Sequence, residues 1–439
     1  MKAMNNQSIC PILFLATMQI FRLLTLANGL SSFDKRSINR DDLSVRLLAG
    51  LQGRTSSSRS NSLNLETDFY DRSTGLYSEG VWHNALVGIS SLENNQAADQ
   101  IADSLFKYSW DGCSFRRRSW SGNWDHSTLD SNNPPEQANY YRESSEHRCV
   151  QHGIALVFWS KLLLDCKAEQ DDFIAREKYQ GQHKLIAEGF IREFWDPSVQ
   201  KWTTVSRSQG GGSVMRPSVS AARHTLGASK ETPYYRAVDQ AIAVLACLEH
   251  LKILEQREGN DALIKERTML IDLIQTTCSE ILSPNGFGYG DIKEAMSYLG
   301  LDRNRNFWHD GWTFLSLIKA REYLWPLDTN HGEAQLNSIW EGLNDMYGNS
   351  DETVWHWERA LKNDSSNVRY CGDNALAHAI KRNLNYGRHD IQGNKEDEFW
   401  SFIGNLRKGH DGGLASVADV YTQVRLHPNT ELSALLVWP

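Results

Sequence analysis

Apolar residues recur along the chain in two rhythms. In the first, short segments are apolar on almost every side: 81-VWHNALVGISSL-92, 147-HRCVQHGIALVFWSKLLL-164, 236-RAVDQAIAVLACL-248, 307-FWHDGWTFLSLI-318, 369-RYCGDNALAHAI-380 and 429-NTELSALLVW-438. A helix that is hydrophobic all round has no face for water, so each segment predicts a buried helix. In the second rhythm, apolar positions repeat at three and four with Lys, Glu and Asp between them. Examples are 97-AADQIADSLFKY-108, 183-HKLIAEGFIREFW-195, 262-ALIKERTMLIDLIQTTCSEIL-282, 335-QLNSIWEGLNDMY-347 and 397-DEFWSFIGNLRK-408. These predict amphipathic helices covering the buried ones.

With Asn84, His152, Asp239, Asp310, Asp373 and Glu431 as anchors, the buried helices recur every 58 to 87 residues. That period is too long for the common solenoid repeats. A sixth amphipathic partner is expected within residues 41–70. Six buried helices ringed by six amphipathic ones predict an all-α fold, an (α/α)6 toroid, over residues 62–439. Strand signals are few and confined to loops.

The loops indicate which rim carries function. Every connection from an outer to an inner helix is long and rich in Trp, His, Gly and acids, as in 119-SWSGNWDHSTLDSNNPPE-136 and 347-YGNSDETVWHWERALKNDSSN-367. Connections of the other kind are plainer, such as 93-ENNQ-96. In an alternating toroid all connections of one kind fall on one rim. The N-terminal ends of the inner helices are therefore the expected binding rim, since long loops above a packed scaffold commonly hold the site.

Composition narrows the partners. The net charge of −8 comes with no Lys/Arg block, which argues against nucleic acid or an anionic membrane surface. The 15 Trp among 439 residues are the unusual number, because an indole N–H needs a partner and such residues often line clefts. The start of the chain, 10-CPILFLATMQIFRLLTLANG-29, reads as a signal or targeting leader over residues 1–29, followed by a Ser/Arg-rich linker at 30–61. Pro11, Gln19 and Arg22 break its apolar run, so no stable membrane span is expected once it is removed. Secretion is the expected destination, with organelle import as the alternative. Asn363 in an Asn-x-Ser sequence accords with secretion. Apart from Cys10, the cysteines stand at 113, 149, 166, 247, 278 and 371 without CxxC spacing. They read mostly as small buried hydrophobes. No cofactor or metal motif is present, HExxH included, and a monomer is expected.

Hydrolysis of a glycosidic bond needs two carboxyl groups about 5–9.5 Å apart. Asp310 lies between Trp308 and Trp312, whose rings would raise its pKa as a general acid requires. Asp239 opens another inner helix, and Glu79 precedes the first. These three are the candidate catalytic groups, although acids at helix starts also serve as caps and dipole partners. Trp82, Trp308, Trp312, Trp355 and Trp357 offer flat faces to sugar rings, or plugs for the toroid. His83, Asn84, His152, His309 and Asp373 offer polar contacts. A pair of imidazoles could alternatively move a proton to and from a sugar carbon.

The segment 70-YDRSTGLYSEGVWHNALVGISSL-92 resembles the opening of family 76-type α-mannanases in the six-hairpin glycosidase superfamily, where a Tyr-Asp and Thr-Gly turn leads into a Trp-Trp-Asn-x-Ala helix. The resemblance implies a glycoside hydrolase acting on an oligo- or polysaccharide. That family carries paired aspartates in a Tyr-Asp-Asp motif. No such pair stands at an inner-helix start here, since Asp171-Asp172 falls on the opposite rim. N-acylglucosamine 2-epimerases are similar in architecture and in their rim histidines. Three functions follow: glycoside hydrolysis first, sugar epimerisation or isomerisation second, and non-catalytic glycan binding third. A carboxylate pair built on Asp310 would favour the first, and two converging histidines the second.

Overall fold

The computed structural model describes residues 70–71, 75–77, 80–92, 95–116, 147–165, 173–207, 235–257, 261–292, 306–326, 329–351, 354–358, 371–384 and 426–438. The leader, the linker, Glu79, Asn363 and the outer helices expected within 41–70 and at 397–408 lie outside these residues.

Six inner helices are present: α1 (Val81–Ser90), α3 (Cys149–Asp165), α5 (Ala237–Glu255), α7 (Phe307–Leu324), α9 (Cys371–Leu384) and α10 (Leu426–Val437). Four outer helices are described: α2 (Asn95–Tyr108), α4 (Phe173–Phe194), α6 (Asp261–Leu282) and α8 (Thr329–Tyr347). Each inner helix packs on the next, and α10 packs back on α1, so the six close into a ring. The outer helices α2, α4, α6 and α8 lie against α1, α3, α5 and α7 respectively. The fold is an (α/α)6 toroid.

The two sequence rhythms have a plain physical origin here. Every residue of α1 is buried, as is α5 from Ala237 through Leu251. An inner helix has neighbours on both sides, an outer helix behind it and the axis in front. Outer helices bury one face only; in α6 this is Leu270, Leu273, Ile274, Thr277, Cys278 and Ile281. Close approach within the ring relies on small residues. A Cβ on Gly88 would fall 2.3 Å from the Phe158 ring, and one on Gly311 would fall 2.7 Å from Leu376.

Among the described residues, three antiparallel hairpins decorate the long-loop rim: β1–β2 (Tyr70–Asp71, Leu76–Tyr77), β3–β4 (Trp195–Asp196, Lys201–Trp202) and β5–β6 (Gly348–Asp351, Val354–Trp357). Each ends beside the start of an inner helix. Between β2 and α1 the chain turns at Gly80, whose φ of 104° lies in the region that favours glycine. Among the described residues no helix is long and apolar enough to cross a membrane. Cys149, Cys247, Cys278 and Cys371 are buried free thiols, as expected, whereas Cys113 is only partly covered.

Candidate functional site

The starts of the inner helices share a common register. The fourth residue of α1, α5 and α9 is an amide, namely Asn84, Gln240 and Asn374. Each amide clamps the last residue of a hairpin. Tyr77 N–H donates to Asn84 Oδ1 (2.7 Å), and Asn84 Nδ2 donates to Tyr77 O (2.9 Å). Trp202 pairs with Gln240 in the same way at 2.8 and 2.7 Å, and Trp357 with Asn374 at 2.8 and 3.0 Å. The side-chain amide thus acts as one more strand edge and satisfies two backbone groups that burial would otherwise strand. The sequence anchors Asp239 and Asp373 stand one residue out of this register.

In α3 and α7 the fourth position also faces outward. His152 of α3 donates from Nε2 to Ile186 O of α4 at 2.9 Å. It sits among Trp110, Phe115, Phe190 and Phe194, with ring centroids 5.4–5.7 Å away. Burial in that aromatic cage pushes its pKa down to about 3. Asp310 of α7 is fully buried. Tyr289 Oη donates to its Oδ1 (2.6 Å) and Tyr347 Oη to its Oδ2 (2.7 Å). The residues expected to touch substrate or act as its acid, Asn84, His152 and Asp310, thus bind helices to what packs behind them.

Asp239 is likewise engaged. Arg236 grips both its oxygens at 2.8 and 3.0 Å, and Thr204 Oγ1 donates to Oδ2 at 2.5 Å. Trp357 packs against Phe307 and Trp340, each at a centroid distance of 4.8 Å, which places it between α7 and α8 and away from the axis. Of Trp355 only the backbone pairing with Ser350 is described.

Other expected residues do meet at the centre. Trp82 of α1 and Trp308 of α7 come from opposite sides of the ring, and their rings lie 5.6 Å apart. Trp312 lies 5.7 Å from Trp82 and 6.2 Å from Trp438, so four indoles form a column in the toroid. Neighbouring helices brace its upper end. The backbone N–H of Trp82 donates to Gln151 Oε1 of α3 (2.6 Å), and His83 Nδ1 lies 3.1 Å from Thr430 Oγ1 of α10. Trp308 Nε1 donates to Glu431. His309 stacks edge-on to Trp308 at 5.0 Å, with its backbone N–H capped by Asn306 at 3.0 Å. Asp373 opens α9 beside α10 and is fully buried. After burial itself, the charges of Glu431 and Asp373 are the largest influences raising the Cys371 thiol pKa, which places both acids near that residue.

Exposure separates these groups. Glu431, Asp373, Asp239 and Asp310 are at most 1% exposed and His83 is 5% exposed, whereas Trp308 and His309 are half-buried. Among the groups gathered at the axis, the acid–base residue with partial exposure is therefore His309, although its Nδ1 is enclosed. A groove of about 480 Å³ lies elsewhere, on the outer face of α6 between Trp195, Gln200, Ile264 and Met269. It contains none of the expected site residues.

Sequence reasoning overlooked Gln151, Gln240, Asn374, Tyr289, Tyr347 and Thr430. Gln240 and Asn374 carried a usable signal, since they stand at the same distance from the first helical residue as Asn84. The tyrosines carried none, because they lie in other elements and meet Asp310 only in three dimensions.

Neither a protein-family model nor a curated protein sequence matches this chain. Solved structures do match in shape. A D-mannose isomerase superposes with a TM-score of 0.57 at 9% identity, covering 91% of this chain and 98% of that one. The GH76 alpha-mannanase of Bacteroides thetaiotaomicron gives 0.51 at 11% identity, covering 91% and 95%. A sugar epimerase from a ruminal bacterium gives 0.52 at 9% identity, covering 84% and 93%. The chain has the fold of these (α/α)6 proteins over nearly its whole length.

Proposed function

We propose that this protein is a carbohydrate-active enzyme whose site is the N-terminal rim of the inner helices, and that its reaction is proton transfer at a sugar carbon, as in an isomerase or epimerase. One observation carries the reading: of the acid–base groups gathered at the axis the partly exposed one is an imidazole, His309, and the expected acid Asp310 is engaged by two tyrosine hydroxyls. Imidazole titrates near neutrality, where a group that takes and returns a proton is most effective. Trp308 would present its face to the sugar, held in place by Glu431. His83, braced by Thr430, is the second imidazole of the rim. The likeness to a D-mannose isomerase and a sugar epimerase supports this reading by analogy of fold.

Glycoside hydrolysis is the second reading. It is favoured by two acids near Cys371, Asp373 in the first turn of α9 and Glu431 in the middle of α10, and by the likeness to a GH76 alpha-mannanase. In it the carboxylate pair is Glu431 with Asp373 rather than one built on Asp310.

Proton NMR in D2O separates the two. The full chain would be incubated with free aldoses, N-acyl hexosamines and mannan oligosaccharides. Deuterium uptake at a ring carbon next to the anomeric centre is the expected result. It should be lost in His309→Asn and kept in Asp310→Asn on the folded fraction. New anomeric signals from oligosaccharide cleavage, lost in Glu431→Gln and kept in His309→Asn, would overturn the isomerase reading in favour of hydrolysis.

A further inference from the structure

On the same rim, but beside α2 and away from the axis, the chain brings together three side chains that the sugar site does not use. The segment after α2 turns through Trp110–Phe115, which bridge to each other, and Arg116 bridges to His147 just before α3. Within that fold Asp111, Cys113 and His147 each offer one ligand atom, and the three atoms lie within 4.8 Å of one another. His147 Nε2 is 3.0 Å from Asp111 Oδ2, and Cys113 Sγ is 3.3 Å from Asp111 Oδ1.

We infer that Asp111, Cys113 and His147 form a binding site for a borderline divalent cation of the zinc type, which clips the loop after α2 to the start of α3. The donor set is one imidazole nitrogen, one thiolate sulfur and one carboxylate oxygen, a combination suited to zinc and poorly suited to calcium or magnesium. Tetrahedral zinc with bonds of about 2.0–2.3 Å needs ligand atoms separated by roughly 3.2–3.8 Å. The His147 Nε2 to Asp111 Oδ2 distance of 3.0 Å is close to such an edge, and with all three donor atoms within 4.8 Å of one another an entering ion has to draw the Cys113 sulfur in by up to about 1 Å.

The surroundings orient each donor. Asp111 Oδ1 accepts from the backbone N–H of Cys113 (3.1 Å) and Ser114 (3.0 Å), which fixes the carboxylate plane. Ser114 Oγ bonds His147 Nδ1. When that nitrogen carries the proton, the Nε2 lone pair turns toward Asp111 and Cys113, which is how an outer partner sets a ligating histidine. Ser114 is fully buried, so the Ser114, His147 and Asp111 trio cannot present a nucleophile to substrate. The His147 side chain is 3% exposed and that of Asp111 19%, which gives the ion a polar entrance and leaves water as the fourth ligand. The Cys113 thiol proton passes to solvent as the thiolate bonds the metal, and the ion takes the place of the protons shared among the three groups.

Cobalt(II) is the probe, because a thiolate ligand gives it a charge-transfer band. Full chain treated with EDTA and freed of the chelator should take up one equivalent of cobalt with tetrahedral visible bands and a thiolate charge-transfer band, both lost on adding zinc. Cys113→Ser should remove the charge-transfer band, although Cys10, Cys149, Cys166, Cys247, Cys278 and Cys371 remain. Ser114→Ala keeps all three ligands and should weaken binding about 10–100-fold, the usual cost of removing an outer partner. Asp111→Asn, at the solvent-facing position, checks the carboxylate with little risk to folding and should weaken cobalt binding with the thiolate band kept. A wild-type chain that shows no thiolate band, or a band that survives in Cys113→Ser, overturns the assignment.

Discussion

His152 shows how a residue chosen for its chemistry can be held by its surroundings. Its ring donates to Ile186 O inside a cage of four aromatic rings, and burial lowers its pKa from 6.5 to about 3. His183 is also pushed well below its ordinary value, first by burial and then by the charges of His250 and Arg257. The unfolded chain binds a proton at each site below about pH 6.5, while the folded chain refuses it until far lower. Stability is therefore full above that value and falls as pH drops toward 3, by up to about 1.4 kcal/mol per pH unit for each proton fully linked. Urea midpoints measured from pH 7 to pH 5 should decline, and His152→Gln, which keeps a donor for Ile186, should flatten the decline by about one proton. An unchanged slope in that variant would show that His152 is not a source of the linkage. The same burial explains why the surroundings of the candidate site residues were only partly legible in the sequence. Periodicity marks the helix start but not the direction a polar side chain takes from it. His152 and His309 look alike in sequence, yet one faces an outer helix and the other the rim. Trp82, His83 and Trp308 were legible because aromatic and imidazole side chains stand side by side at two helix starts. The Tyr289 and Tyr347 hydroxyls that engage Asp310 were not.

At the scale of elements, the amide clamps explain why the repeat is hard to see. The chain between clamped strand end and clamping helix is short from Tyr77 to α1 and long from Trp202 to α5, yet the hydrogen-bond pair is the same. A device that ties backbone to one side chain tolerates any loop length between them, so the spacing of inner helices drifts while the geometry holds. Truncating the clamp leaves a buried N–H and a buried C=O without that partner, each worth about 1–3 kcal/mol when unsatisfied. Asn374→Ala should thus cost about 2–4 kcal/mol, and Gln240→Ala a similar amount. Urea unfolding followed by tryptophan fluorescence would read both, since Trp357 and Trp202 are the clamped residues. A loss below about 0.5 kcal/mol in both variants would mean that the hairpins stand without the clamp.

For the whole molecule, the alternation of all-apolar and amphipathic segments was enough to read the toroid, because only a ring of helices inside another ring needs both kinds in equal turn. The sequence could not say where the ring closes. That is done by α10, which packs between α9 and α1. Closure also has polar parts, one in the middle of the helix and one just past its C-terminal end: Glu431 receives the Trp308 indole, and Trp438 Nε1 donates to Glu249 Oε1 (3.3 Å) near the C-terminal end of α5. Glu249 is itself engaged by Lys161 and Lys252 at 3.3 and 2.8 Å, so one helix ties α5 to the aromatic column and the column to the rim. A ring lacking one of six members exposes the flanks of two largely buried helices, α9 and α1, and buried apolar area is the main term holding such a fold together. Deleting residues 426–439 should therefore convert a single cooperative urea transition into a broad one and raise binding of a hydrophobic dye under native conditions. It should also abolish any rim chemistry even though His309 and Trp308 remain. The double substitution Glu431→Gln with Trp438→Phe keeps the helix and removes the polar ties. It should lower stability without opening the ring, leaving dye binding at the wild-type level. If the truncated chain unfolds at the wild-type midpoint with wild-type sharpness, closure by α10 is not what holds the toroid, and the inner helices must be stable as an open arc.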